Sequence, residues 1–391
     1  MITNTTNRID VADVLRGFAV FGIVLLHSIE HFNFYSFPEV TNDWLKFSDK
    51  IIWDSLFFTF GGKAYAIFAL LFGFSFFIQD NNQLKRGYDF RLRFLWRLVL
   101  LFIWGNINAM FFTGEILVFY SIVGIVLILV ARLSVKTIFI VTVICLLQPV
   151  EWVRIIYALL NPDYEIGKDL AGYYFSQAYP VLEKGTFLQT VKMNLWDGQM
   201  ASLTWAWENG RVFQTSALFM LGYIIGKTGI FSYSEKNIKL WAKVLIISII
   251  CFFPLHGLVD IVPTFIENSA VRKPLMLIIK SLNNLSFMLF LISLIILLFY
   301  KTNLQKYLMK LSPYGRMSLT MYITQSIMGS FIFYNWGLGM YEKLGITASL
   351  FVGIGLFIIQ YTFCYFWFKR FNHGPLEYIW KKATWIGAKR K

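Results

Sequence analysis

Apolar runs long enough to cross a bilayer recur along almost the whole chain, and no other feature limits its possible folds as much. A helix needs about 20 apolar residues to span the hydrocarbon core. Ten runs approach or exceed that length: residues 12–33, 55–79, 93–112, 115–131, 137–159, 212–230, 239–259, 274–300, 315–336 and 346–370. Charged residues are only 15% of the 391, against about 25% in soluble proteins. The expected fold is all-α, a polytopic integral membrane protein with no separate soluble domain. It reads as one transmembrane domain over 1–391. Residues 12–159 form an N-terminal five-helix half holding the candidate active site, and 212–370 a C-terminal five-helix half. Between them, 160–211 reads as an extracytoplasmic loop with interfacial helices, rich in Tyr and Trp. Residues 371–391 read as a cytoplasmic amphipathic tail.

Charge orients these spans. With the N-terminus inside, the inner flanks hold 24 of the 36 Lys and Arg but 6 of the 22 Asp and Glu. Short loops rich in Lys and Arg stay cytoplasmic, so both termini are placed inside. The net charge of +14 then reflects orientation and anionic lipid rather than nucleic acid. Asp10, Asp13 and Arg16 and the lack of a small-residue cleavage site mark 12–33 as a retained helix. Cys145, Cys251 and Cys364 are scattered through apolar segments, with neither disulfide nor metal spacing. No Walker loop, GxGxxG or nucleophile elbow supports ATP-driven or dinucleotide chemistry.

In that orientation, polar groups from distant segments fall at one depth, near the outer face. His27, Glu30 and His31 close the first run, and Lys63 belongs to the outer part of the second. Asn106 and Asn108 end the third, Glu115 opens the fourth, and Glu208, Arg211 and Gln214 approach the sixth. Ionisable groups inside a membrane are expensive and point to function. His27 suits a general base, with Glu30 or Glu115 to orient it. Lys63, Asn106, Asn108, Glu208, Arg211 and Gln325 are the expected substrate contacts. The last belongs to a stripe of Ser318, Tyr322, Gln325 and Ser326 that reads as glue between helices ahead of pathway lining.

Two other patterns carry chemistry. His27-Ser28-Ile29-Glu30-His31 matches H-x-x-E-H, so a helix would put His27 and His31 on one face for zinc. A third ligand would come from Glu115, His256 or Asp260. The continuation expected of such a motif is absent, and no metal is expected. At the inner side, Arg16, Arg97 and Arg316 are candidates for the phosphates of a coenzyme A thioester.

Several motifs resemble those of the YeiB family of bacterial inner-membrane proteins, the domain of unknown function 418. They are DVLRGFAVFGIVLLH, GGKAYAIFALLFGFS, TGEILVFYSIVG, FMLGYIIGKTGIF, YGRMSLTMYITQS and HGPLEYIWKKATW. Together they cover nearly the whole chain. Chains of that family often carry asparagine at the position of His27 and histidine at that of Asn108. The family is similar in hydropathy and first helix to transmembrane acyltransferases, including the acyltransferase type 3 family and the lysosomal heparan glucosaminide acetyltransferase. The resemblance implies a plasma-membrane transferase that moves an acyl group from cytoplasmic acyl-CoA to an acceptor at the outer face. The acceptor would be a glycan, lipid or small molecule. Homodimerisation is allowed. The alternatives are a transporter or exporter without covalent chemistry and, further off, a zinc-dependent membrane hydrolase.

Overall fold

The computed structural model describes residues 9–165 and 167–387. Arg8, Lys389, Arg390 and Lys391, counted above among the inner charges, lie outside these residues. Among the described residues there is no strand. The helices are α1 Asp10–Ile29, α2 Asp43–Phe60, α3 Lys63–Leu84, α4 Arg91–Ala109, α5 Leu117–Val123, α6 Ile125–Val130, α7 Val135–Leu146, α8 Pro149–Leu160, α9 Leu170–Lys184, α10 Phe187–Met193, α11 Gln199–Glu208, α12 Arg211–Thr228, α13 Glu235–Phe265, α14 Ser269–Lys301, α15 Gln305–Leu308, α16 Ser312–Arg316, α17 Ser318–Phe333, α18 Ile346–Trp367 and α19 Pro375–Thr384. Stretches long and apolar enough to cross a membrane are α1, α2 with α3, α13, α14 and α18; α7 with α8 makes a further one, bent by 43°. The chain is a helical membrane protein.

Three expected spans are interrupted. The run 55–79 breaks at Gly61-Gly62, where Gly62 adopts a left-handed φ of +73°. Residues 43–54, which precede this apolar run, form most of α2, capped by Asn42 through Trp44 N and Leu45 N. The run 115–131 divides at Gly124 into α5 and α6. The run 137–159 bends at Leu147-Gln148, where Gln148 has a φ of +55° and Pro149 opens the next helix. The loop 160–211 is largely helical: α9, α10, a π-turn at Asn194–Gly198, and α11.

Helix α1 runs through the middle of the bundle, packed on α3, α16, α17 and α18. Helix α12 packs on α3 and α7, while α13 and α14 form an antiparallel pair. The basic loops gather at the end where α1 begins. There Arg132 bridges Asp80 at 2.7 Å and Asp89 at 2.9 Å, and the Arg91 side chain holds the Asp89 carboxyl well below its ordinary range. Helix α19 folds back onto this end. Arg93 donates to Thr384 O at 3.0 Å, and Arg97 lies 4.2 Å over the Trp380 ring.

The tail also completes α17. The carboxylate of Glu377 accepts from Leu319 N at 2.8 Å, Thr320 N at 3.0 Å and the Thr320 hydroxyl at 2.6 Å. It thus fills the role of an N-cap from another segment, with its charge favoured by the helix dipole. Burial pushes the Glu377 carboxyl above its ordinary range, against the pull of the Thr320 bonds. Replacing Glu377 with alanine is expected to destabilise the fold by about 1–2 kcal/mol, read as a lower melting temperature in detergent. Glutamine, which keeps an acceptor, should lose less. Equal melting of the alanine variant and the parent would remove the cap.

Candidate functional site

A cavity of about 470 Å³ opens among the helix ends opposite the basic loops, lined by the last turn of α1, the break between α2 and α3, the turn before α5, and the start of α12. His27 and Glu30 lie on its wall together with Glu115, Arg211, Tyr65, Tyr120 and Tyr322. The rest of the lining is mainly Phe, Leu, Ile and Gly. A space of this kind, apolar with a few polar groups converging, is the usual form of a small-molecule site.

His27 sits two residues before the end of α1. Its Nδ1 lies 3.2 Å from the Glu30 carboxylate. Its ring rests between Phe112, at 4.7 Å between centroids, and Phe32, at 5.9 Å. No described residue hydrogen-bonds its Nε2, so that nitrogen is available to a bound group. With Nδ1 held by a carboxylate, the ring can take a proton at Nε2 while Glu30 stabilises the resulting imidazolium.

The chain then turns under strain. His31, Phe32, Asn33 and Tyr35 all have positive φ, at 49°, 55°, 69° and 52°. A left-handed conformation costs a non-glycine residue about 1–2 kcal/mol. The C-terminal helices hold the turn in place. The Tyr334 hydroxyl donates to Phe32 O at 2.5 Å, and His31 stacks at 4.4 Å on Phe333. The two ring nitrogens of His31 face Ser36 O at 2.7 Å and Ser349 Oγ at 2.8 Å. Strained backbone persists only where its surroundings over-determine it, and it clusters at ligand sites. Asn33 and Tyr35 both line the cavity.

This turn corrects the zinc geometry. Because α1 ends at Ile29, His27 and His31 no longer share a helix face. His27 faces the cavity, while His31 is buried against α17 and α18. His256 stacks on Phe252 at 5.2 Å, and neither it nor Asp260 lines the cavity. Among the described residues, no group of three or more His, Cys, Asp or Glu is placed to hold a metal ion.

Glu115 forms the second wall. Its carboxylate accepts from the Asn108 amide and from Leu117 N, capping α5. Asn108 itself does not line the cavity; it positions Glu115. The carboxylate paired with His27 is that of Glu30.

Arg211 forms the third wall. Its guanidinium lies between the rings of Tyr65, at 5.3 Å, and Trp205, at 5.2 Å. It donates to the Gln214 side chain, and among the described residues its Nε has no partner. Tyr65 in turn bonds the Thr215 hydroxyl, and Tyr120 donates to Tyr65 O at 3.1 Å.

Other expected contacts fall elsewhere. Lys63 reaches Phe57 O at 3.5 Å and sits over Phe58 and Phe287, off the cavity wall. Asn106 accepts from Gln199 at 2.9 Å. Glu208 caps α9 through Leu170 N at 2.9 Å and Ala171 N at 3.3 Å. Gln325 is buried, both its amide atoms lack a partner among the described residues, and it is not in the lining. Of the three arginines assigned to the donor, Arg16 is bound to Asp13 and Ser75, each at 2.9 Å. Arg97 also donates to Thr384 Oγ1 at 3.1 Å. Arg316 lies 4.3 Å over Phe368 and donates to Asn372 O at 3.2 Å. Asn284 and Ser202 line the cavity but were not singled out by sequence. Nor was Tyr65, one tyrosine among 20 beside 40 phenylalanines.

Residues 225–387 match the family described as protein of unknown function (DUF418). An uncharacterized protein, YxaH, of Bacillus subtilis is 28% identical across 98% of this chain and 96% of its own length. An uncharacterized 39.9 kDa protein encoded in the amylase 3' region of Bacillus acidopullulyticus is 24% identical, across 97% of this chain and 94% of its own. The uncharacterized protein YeiB of Escherichia coli is 30% identical across 20% of each chain. No solved structure matches. The matched segment contributes Asn284 and Tyr322 to the cavity, and it contains both Glu377 and the helix that Glu377 caps. His27, Glu30, Glu115 and Arg211 all precede it.

Proposed function

We propose that this chain belongs to the DUF418 family and is a membrane acyltransferase. In this reading it spans the bacterial inner membrane ten times with both termini inside, and its cavity faces the outer leaflet. The observation that carries the reading is the His27–Glu30 pair, 3.2 Å apart on the wall of an apolar cavity. His27 Nε2 removes the proton from an acceptor hydroxyl or amine. The freed nucleophile attacks the thioester carbonyl of acyl-CoA; the C–S bond breaks, and the coenzyme A thiolate recovers the proton from the imidazolium. Glu30 stabilises that imidazolium. Arg211, the one cation of fixed charge among the described lining residues, supplies positive potential for the developing oxyanion. The apolar wall suits an acyl chain. Helix α19 covers Arg97, so a donor entering from the inner end would have to displace the tail.

The test is thiol release from acyl-CoA by the purified protein in nanodiscs, with panels of hydroxyl and amine acceptors. Release above the protein-free rate that depends on an acceptor is expected. Silence across the panel, with no binding of acyl-CoA, would end this reading.

One observation favours the exporter. Helices interrupted at Gly61-Gly62, Gly124 and Leu147-Gln148 resemble the discontinuous helices of secondary transporters. Flux through reconstituted liposomes that survives His27→Ala would select it.

A further inference from the structure

A second cavity of about 500 Å³ adjoins the first, and Arg211 and Asn284 border both. It lies among the end of α11, the start of α12, Pro263 of α13 and the N-terminal part of α14. Its charges are lopsided. Arg211, Arg272, Lys273 and Lys280 line it, against the single carboxylate of Glu208. That carboxylate is already committed to the backbone N–H groups that begin α9. Among the described residues no carboxylate pairs with any of the four cations. Among the described residues Arg272 reaches only a backbone carbonyl, Ile266 O at 3.3 Å, and the buried Nε of Arg211 has no partner. A buried cationic donor left unsatisfied is costly unless a ligand completes it. The excess also runs against the charge bias of its own side. In the orientation proposed above, the outer flanks hold 12 Lys and Arg against 16 Asp and Glu, so insertion alone does not account for four cations around one space.

We infer that this cavity binds a phosphate group of the acceptor and that Arg211, on the shared wall, passes the acceptor to His27. More than one formal negative charge is needed to match the cluster, and a phosphate monoester supplies it with oxygens suited to arginine. Gly62 makes room for the arrangement. A Cβ there would stand 3.0 Å from the Asn284 amide nitrogen and 3.7 Å from the Arg211 guanidinium. The role as acceptor site rests on the acyl-transfer reading; phosphate binding does not.

Binding is therefore measured separately from turnover, by calorimetry on the full-length protein. Two probes distinguish the source of the phosphate. Glycerol 3-phosphate, with glycerol as control, represents a soluble monoester; nanodiscs of phosphatidic acid, whose headgroup is also a phosphomonoester, against phosphatidylcholine represent a lipid headgroup, read as a shift in melting temperature. Binding of either probe is expected, weakened at least about tenfold by Arg211→Gln and by the exposed double change K273Q/K280Q. The double variant keeps the test open should Arg211→Gln misfold. His27→Ala should leave binding intact. No response to either probe, or equal responses from parent and both variants, overturns the inference. Phosphate binding without thiol release upholds the site and removes the acyl-transfer reading instead.

Discussion

His27→Ala is expected to cut kcat/KM for acyl transfer by about 10²–10⁴, the usual contribution of a positioned general base. The loss should fall on kcat, because the imidazole acts on a proton in flight rather than on the bound ground state. Folding should survive. The ring borders open cavity space and makes one side-chain hydrogen bond, to Glu30, so stability should change by no more than about 1 kcal/mol. Glu30→Gln should be milder. It keeps an acceptor at Nδ1 but removes the charge that favours the imidazolium, a difference of about 2 kcal/mol or roughly 30-fold in rate. Initial rates of thiol release over a range of acceptor concentrations separate kcat from KM. An alanine variant with the parental kcat would show that His27 is not the base, whatever the protein catalyses.

The sequence conveys depth along the membrane far better than direction around a helix. Counting residues and balancing charges brings His27, Glu30, Glu115 and Arg211 to one end of the bundle, and all four line one cavity. The same counting brings Lys63 to that end, yet its side chain leaves the cavity for Phe58 and Phe287. A residue's azimuth depends on where its helix starts, and α3 starts only after the left-handed Gly62. The first two thirds of α2 lie outside the apolar run 55–79 because Asp43, Lys46, Asp49, Lys50 and Asp54 interrupt their apolar residues, as on an interfacial helix. The turn at 31–35 had almost no local signal. It contains neither Gly nor Pro, and of its residues only Asn33 and His31 tolerate positive φ with any ease. What imposes it, Tyr334 and Ser349, lies some 300 residues away in sequence. The motif HGPLEYIW does open a short helix, α19, with Pro375 at its start and Glu377 in its first turn, but nothing local shows that the glutamate carboxylate also caps a different helix, α17.

Gly222→Val is expected to be the most damaging single change outside the cavity. A Cβ at Gly222 would stand 1.8 Å from Leu70 O and 2.8 Å from Phe74 N, and one at Gly73 would stand 1.9 Å from Phe219 O. Each glycine of α3 and α12 thus faces the backbone of the other helix, the close approach that small residues allow between membrane helices. A carbonyl in a helix cannot swing aside like a side chain, so relief requires the two helices to part. Such overpacking typically costs about 1–3 kcal/mol, and a branched side chain against backbone on a two-helix seam belongs at or above the top of that range. The consequence reaches the site, since α3 carries Tyr65 and α12 carries Arg211, stacked at 5.3 Å. Parting the seam separates them and weakens phosphate binding along with stability. Gly257→Ala and Gly355→Ala serve as controls, because a Cβ at either position meets nothing within 4 Å. Both lie inside helices, where alanine is favoured over glycine by about 1 kcal/mol, so they should melt at or above the parental temperature. A Gly222→Val protein that elutes and melts like these controls would mean that α3 and α12 do not meet through their glycines.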